Sequence, residues 1–378
     1  MPDYIREAIQ SLPPLPASVQ QLLTLSREPE VDFRQIVKVI ESDQTLTVRT
    51  LRAANSAFYG ASRQIQTVQQ ATVLLGRDAI VNLALSISVM NLERSLGDSW
   101  ARHAANFWRH SIATGTAARW IARYVEGADA EEAFVAGLVH DIGKLVLLTH
   151  HGELYGDMLV SAQDAPLHEY EQEQLGIKHT AVGEALCIHW NLPENITDAV
   201  AAHHDKQRQA AGSLAQIVGY ANDMVKLAQL GYSGNRFVSL HDRESHLILQ
   251  MPDDAQQELL RTLPQKVAES EQIFSQNGAA QEMGQEQAEA KGSVSLEAAS
   301  EREREALRLA LMFNGYRPVG RGVSSGGDGA TSVVATLTDK DSTPGAGYGA
   351  WRTSHVTADG DFINADELNK WLTTILPA

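Results

Sequence analysis

Apolar residues recur three and four positions apart from residue 3 to about residue 275, the spacing of helices that each bury one face. Residues 18–27 and 33–42 show it plainly, and Asp32 stands where it can cap the second of these helices. Residues 43–54 offer Leu46, Val48, Leu51 and Ala54 as an inner face, and Asn55-Ser56 suits a turn or cap after them. Thr67 to Leu75 predicts another helix, ending near Gly76. Asp78 to Asn91 is apolar almost all round, as in a helix surrounded by protein.

A second helical block runs from about Trp100 to Phe274. Its longest pieces are 103–125, 131–149, 179–190, 194–204 and 213–230, with Pro193 placed to start one of them. The alternating pattern of strands is missing from this block. The pattern changes after Gln276. Residues 276–304 are rich in Gln, Glu, Ala, Gly and Ser and predict a flexible linker or a solvated helix. Glu301 to Phe313 suits a short helix. Residues 320–349 read as loop, broken by one strand at Thr331 to Leu337. The expected organisation is therefore all-α: an N-terminal helical subdomain (1–98) packed on a second helical subdomain (99–275), an acidic linker or helix (276–319), and a small, irregular, flexible C-terminal region (320–378).

Composition narrows the function. The net charge of −16 disfavours a dominant nucleic-acid surface. Arg102, Arg109, Arg119 and Arg123 are expected to form the solvated face of one helix. Cys187 is the only cysteine, which excludes an intrachain disulfide and suggests a reducing, cytoplasmic setting. No apolar stretch approaches a membrane span, and the N-terminus does not read as a signal peptide.

The chemistry lies in seven side chains: His110, His140 and Asp141, His179, His203 and His204, and Asp223. Imidazole and carboxylate together suit a first-row transition metal such as Fe, Mn or Zn. The alternative for His140-Asp141 is a buried hydrogen-bonded pair, since a buried charge needs a partner or an ion. Asp141 can bridge two ions, so a dinuclear centre is one option. Gly137 and Gly143 permit close backbone approach nearby, and Lys144, one turn from His140, can face a phosphate. His103, His150, His151, His168, His241, His246 and His355 read as ordinary surface or core residues. His189 and the rings of Phe107, Trp108 and Trp120 read as core. Thr357 to Leu368 has the outline of a calcium loop but lacks the glycine that such a loop needs at its sixth position. An Asx-type turn leading to a helix capped by Asn364 is the plainer reading.

Several segments taken together resemble the HDOD domain, the HD-related output domain of bacterial signalling proteins. They are Leu12-Pro-Pro-Leu-Pro, Ile40-Glu-Ser-Asp-Gln-Thr-Leu, Leu51-Arg-Ala-Ala-Asn-Ser-Ala-Phe-Tyr-Gly, Ala71-Thr-Val-Leu-Leu-Gly, Phe107-Trp-Arg-His-Ser, Ala136-Gly-Leu-Val-His-Asp-Ile-Gly-Lys and Trp190-Asn-Leu-Pro. The resemblance covers about residues 10–275. It implies a non-catalytic regulatory module that contacts signalling proteins. The wider HD superfamily, mostly metal-dependent phosphohydrolases, implies the seven side chains above as metal ligands and Lys144 as a phosphate contact. Many HDOD domains lack some of these ligands, whereas here every position is filled. The phosphodiesterases of the superfamily that cleave cyclic di-GMP carry an Asp-Gly-x-Gly-Tyr-Pro loop after the paired histidines. Here that place reads His203-His-Asp-Lys-Gln-Arg-Gln, which argues against that substrate. A metal-dependent phosphodiesterase or phosphohydrolase is the alternative to the regulatory module, and a sensor that binds a nucleotide or phosphate ligand stands between them.

Overall fold

Capping fixes many of the helix starts. Asp32, Asp43, Thr67, Asp129 and Ser213 each accept a hydrogen bond from a backbone N–H in the first turn that follows, satisfying donors the helix itself leaves open. Pro16, Pro166 and Pro193 stand immediately before three other helices. The computed structural model describes residues 1–274 except 29–31, 57–58, 60, 62, 92–97, 162–165, 211, 235–236 and 240–250, and beyond them only 292–297, 316–320, 332–338, 349–352 and 362–364.

The described helices are α1 (Asp3–Ser11), α2 (Ala17–Ser26), α3 (Phe33–Glu41), α4 (Gln44–Ala54), α5 (Val68–Leu75), α6 (Arg77–Met90), α7 (Asp98–Ala122) and α8 (Ala130–Val139). They continue with α9 (Gly143–His151), α10 (Glu153–Ser161), α11 (Leu167–Leu175), α12 (His179–His189), α13 (Glu194–Ala202), α14 (Leu214–Leu227) and α15 (Asp253–Phe274). One hydrophobic core runs through the whole helical body, from Ile5 in α1 to Phe274 in α15. A small satellite of Ala54, Ile65 and Ala71 lies under α4 and α5. Helix α7 is central, packing against α8, α14 and α15, while α12 packs on α9 and α13.

The helical expectation holds over this body, with instructive departures. Val48 is 51% exposed, while Leu46 and Ala54 form the inner face. Asn55 folds back on its own loop: its amide donates to Leu51 O and Ile65 O, and its carbonyl oxygen accepts from Ile65 N. The helix expected over 131–149 is interrupted at 140–142. Counted through that interruption, Ala130–His151 is long and apolar enough to cross a membrane, contrary to expectation, but 89% of its most apolar window is buried inside the protein. A core helix has the same composition as a membrane span. Arg119 is not on a solvated face. Its guanidinium binds Glu131, packs over the Tyr59 ring, and Tyr59 donates to the same carboxylate, which ties the loop after α4 to α7 and α8. Arg109 and Arg123 are exposed as expected.

Beyond the helices, strands correct the expected linker. Strand β1 (Phe237–Ser239) pairs antiparallel with β6 (Phe362–Asn364). A four-stranded sheet has the order β3-β2-β4-β5, formed by β2 (Gly292–Glu297), β3 (Tyr316–Gly320), β4 (Ser332–Thr338) and β5 (Gly349–Arg352). Strand β4 falls where one was expected. Strand β2 replaces the predicted linker or helix, because its partners lie in distant sequence that local composition does not report. The short helix expected over Glu301 to Phe313, and any helix after Asn364, lie outside the described residues. Asn364 itself ends β6.

Candidate metal centre

The His140-Asp141 pair sits where α8 ends. Ile142 N bonds Val139 O, Lys144 N bonds Asp141 O and Leu145 N bonds Ile142 O, so the chain tightens to i→i−3 bonding before α9 begins. Two glycines let neighbouring helices close on this turn. A Cβ on Gly137 would lie 2.7 Å from Gly115 Cα, so α7 and α8 meet backbone to backbone. A Cβ on Gly143 would lie 2.0 Å from His179 O and 2.6 Å from Gly183 N, so α9 starts directly against α12. His110 arrives from α7, His179 opens α12, and His203-His204 follow the end of α13.

Five imidazoles and one carboxylate converge. Asp141 Oδ1 lies 3.2 Å from His179 Nε2 and 3.6 Å from His203 Nε2. Asp141 Oδ2 lies 3.3 Å from His140 Nε2 and 3.8 Å from His110 Nε2. Donor atoms of Asp141, His179, His203 and His204 all lie within 4.8 Å of one another, and so do those of His110, His140 and Asp141. Asp223, the seventh expected ligand, falls in neither group. It is buried on α14 and pairs with Lys226 at 3.5 Å, while Lys226 also donates to Phe237 O.

The donor set fits a metal ion. His140 Nδ1 lies 2.7 Å from Gly137 O, His203 Nδ1 lies 2.9 Å from Val200 O, and His179 Nδ1 lies 2.7 Å from Glu171 Oε2. Those acceptors hold the proton on Nδ1 and leave the Nε2 lone pair facing the cluster, the usual support for a metal-bound histidine. The Nε2 atoms of His110, His140, His179, His203 and His204, and Asp141 Oδ1, are all buried without a hydrogen-bond partner. Buried polar atoms are costly to leave unsatisfied, and cations bound at the two donor groups would satisfy them.

Electrostatics agree. Burial, with His140 nearby, pushes His110 well below the usual histidine range. Burial lowers His203 to about 3 and takes His204 well down. For Asp141, burial pushes the carboxyl up, but His140 and Lys144 outweigh it and hold the group well below the ordinary carboxylate range. For His179 burial also opposes the charge, and Glu171 overcomes it, so this imidazole is raised. Three of the imidazoles, His110, His203 and His204, are therefore neutral beside an ionised Asp141, the states in which these groups ligate metals.

Some neighbours were missed in sequence. Glu171 is fully buried on α11, accepts from the His179 N–H and from Tyr155 Oη, and backs His179. His168, expected as an ordinary core or surface residue, is buried with its ring stacked on His204 at 4.6 Å. Glu171 and His168 share with Leu167 the buried side of α11, in a stretch whose sequence looks polar. His189, expected in the core, is exposed: α12 buries Leu186, and Trp190 after it, leaving position 189 outward. Phe107 and Trp108 are core as expected, whereas Trp120 is half-buried with Lys266 over its ring. His241, His246 and His355 lie outside the described residues.

An all-helical body carrying this buried histidine–aspartate cluster defines a protein of the HD-like helical class. The family model of the HDOD domain matches residues 12–206, just over half of the chain. The chain belongs to the HDOD domain family. It is 24% identical over 204 residues to an uncharacterized protein of Treponema pallidum, a stretch that is 53% of this chain and only 39% of that relative. Among solved structures it is similar to an HDOD domain protein of unknown function from Geobacter sulfurreducens, with a TM-score of 0.62, 24% identity, and 72% of this chain and 97% of that one covered. A candidate signal transduction protein of Marinobacter aquaeolei follows, with a TM-score of 0.58, 21% identity, and 72% and 65% covered. A candidate phosphohydrolase of Shewanella amazonensis has a TM-score of 0.55, 19% identity, and 72% and 98% covered. At these identities the likeness shows the fold.

Proposed function

We propose that this chain is a cytoplasmic regulatory output module of signal transduction that acts through contacts with signalling proteins and holds a divalent transition metal, Fe, Mn or Zn, as a structural element. Lys144 carries the argument. Its ammonium has three protons, and three protein acceptors surround it: Asp141 Oδ2 at 2.7 Å, Ser233 O at 3.0 Å and Ser233 Oγ at 3.3 Å. The side chain is 2% exposed. A lysine that faces a bound phosphate has donors to spare, whereas all three protons of this one have acceptors inside the protein. The Marinobacter relative, a candidate signal transduction protein, supports the same setting.

Metal would be held by donors in two groups that share Asp141, one with His179, His203 and His204 and the other with His110 and His140, with Glu171 and two backbone carbonyls orienting three of the imidazoles. Such an ion lowers the pKa of a bound water and polarises a phosphoryl oxygen when a coordination position is open. The complete histidine set favours one second reading, a metal-dependent phosphohydrolase. Elemental analysis of the wild type beside His140→Ala and Asp141→Ala, followed by a phosphodiester and nucleotide screen of the metal-loaded protein, separates the two. Metal that is lost in Asp141→Ala, the residue both donor groups share, with no turnover, is the expected result. Metal-dependent turnover in the wild type would overturn the regulatory reading. Saturable nucleotide binding without hydrolysis would make the module a ligand sensor.

A further inference from the structure

The two ligand groups share Asp141 but do not share it equally. One group takes Asp141 Oδ1 together with His179, His203 and His204. That oxygen is buried and has no hydrogen-bond partner. The other group takes Asp141 Oδ2 with His110 and His140. That oxygen already receives a charged hydrogen bond from Lys144 Nζ at 2.7 Å.

We propose that the centre loads in a fixed order: a first ion at Asp141 Oδ1 with His179, His203 and His204, while the Lys144 ammonium acts as a built-in cation that keeps the second group shut. The proposal rests on the metal-site reading above and adds an order and a gatekeeper to it.

Three observations point the same way. The first group offers four donors, enough for the closed tetrahedral shell of a structural ion, whereas the second offers three. Two imidazoles of the first group are already oriented, His179 by Glu171 and His203 by Val200 O. A cation entering the second group meets the ammonium on its only carboxylate oxygen. It must either share that oxygen against like-charge repulsion or expel Lys144, which then loses its bonds to Ser233 as well. Each charge-assisted hydrogen bond is strong enough that losing them weakens the second ion about a hundredfold or more relative to the first. A three-ligand group with a position to spare is the type that activates water. Lys144 thus closes the half of the centre that hydrolysis would need.

The test titrates metal-stripped full-length protein with Mn²⁺ by calorimetry, with elemental analysis after gel filtration and electron paramagnetic resonance of the bound ion. The wild type is expected to retain one ion per chain with the spectrum of isolated Mn²⁺. Lys144→Met is expected to take two, with a spin-coupled spectrum and second-site affinity raised about a hundredfold. His110→Ala is expected to keep the first ion and His203→Ala to lose it, which decides the order even if Lys144→Met does not fold. Two wild-type ions of equal affinity, or loss of the first ion in His110→Ala but not in His203→Ala, would overturn the order. A folded Lys144→Met that still binds one ion would overturn the gatekeeper. A wild type that binds no ion would remove the metal-site reading itself, and this inference with it.

Discussion

At the scale of single residues, Glu171 shows how much of a site lies behind its ligands. One carboxylate oxygen serves both the backbone and the ring of His179, and the other accepts from Tyr155. Glu171→Ala frees the imidazole to rotate and to shift its proton. Metal affinity is expected to fall about ten- to a hundredfold, with Glu171→Gln falling between, as equilibrium dialysis against a competing chelator would measure. Unchanged affinity would show that α12 alone positions the ring. Cys187 gives a second residue-scale outcome. Burial pushes its thiol up to about 12, so alkylation at pH 8 should be negligible in the native protein and become rapid only in denaturant; ready native labelling would contradict its burial. His140 and Asp141 of the cluster were legible in sequence because a His-Asp pair inside an apolar run is rare. Glu171 was not, because it lies in a polar-looking stretch, Leu-His-Glu-Tyr-Glu, whose buried side only the packing of α11 reveals.

At the scale of elements, the centre depends on two backbone contacts that glycine alone permits. Gly143→Ala places a methyl into the His179 carbonyl and Gly183 N. The change should cost at least the usual overpacking penalty of about 1–3 kcal/mol. Thermal denaturation should show it, together with weaker metal retention, since α12 carries His179. The same substitution at Gly127, where a Cβ would meet nothing within 4 Å but φ is +77, strains only the turn before α8 and should leave metal retention alone. Periodicity gave the helices well because many bury one face in a shared core, while those buried almost all round, such as α6 and α14, are mostly apolar. It could not show the interruption at 140–142. Side chains keep their apolar rhythm through that turn, and only the backbone bonding changes.

For the whole molecule, acid should act through the buried imidazoles. Burial lowers His168 from an ordinary value of 6.5 to about 2. The unfolded chain therefore takes up this proton first. The stability is fully present above about pH 6.5 and is lost as pH falls toward 2, at about 1.4 kcal/mol per pH unit. Melting temperatures of metal-stripped protein should drop between pH 7.5 and 5, and His168→Phe should flatten the slope by one proton; an unaltered slope would place the proton uptake elsewhere. The all-helical body was legible at this scale, and the C-terminal strands mostly were not. Strand β4 announces itself through Val333 and Val334, but β2 is defined by partners on β3 and β4 that no local window contains.

Helix α7 is a rod of 25 residues, about 37 Å long at the standard rise. Near its C-terminal end Arg119 grips Glu131 and Tyr59, and nearby Thr116 shares a hydrogen bond with Ser270 of α15. Midway it presents His110 to the cluster. A rod does not bend to absorb a push, so force applied by a partner at the Tyr59 loop or along α15 would travel as displacement to a donor atom more than a helical turn away. Mechanical work done at the surface would then be spent on a coordination shell. Conversely, an ion drawing His110 inward would pull on the Tyr59 loop and α15 from within.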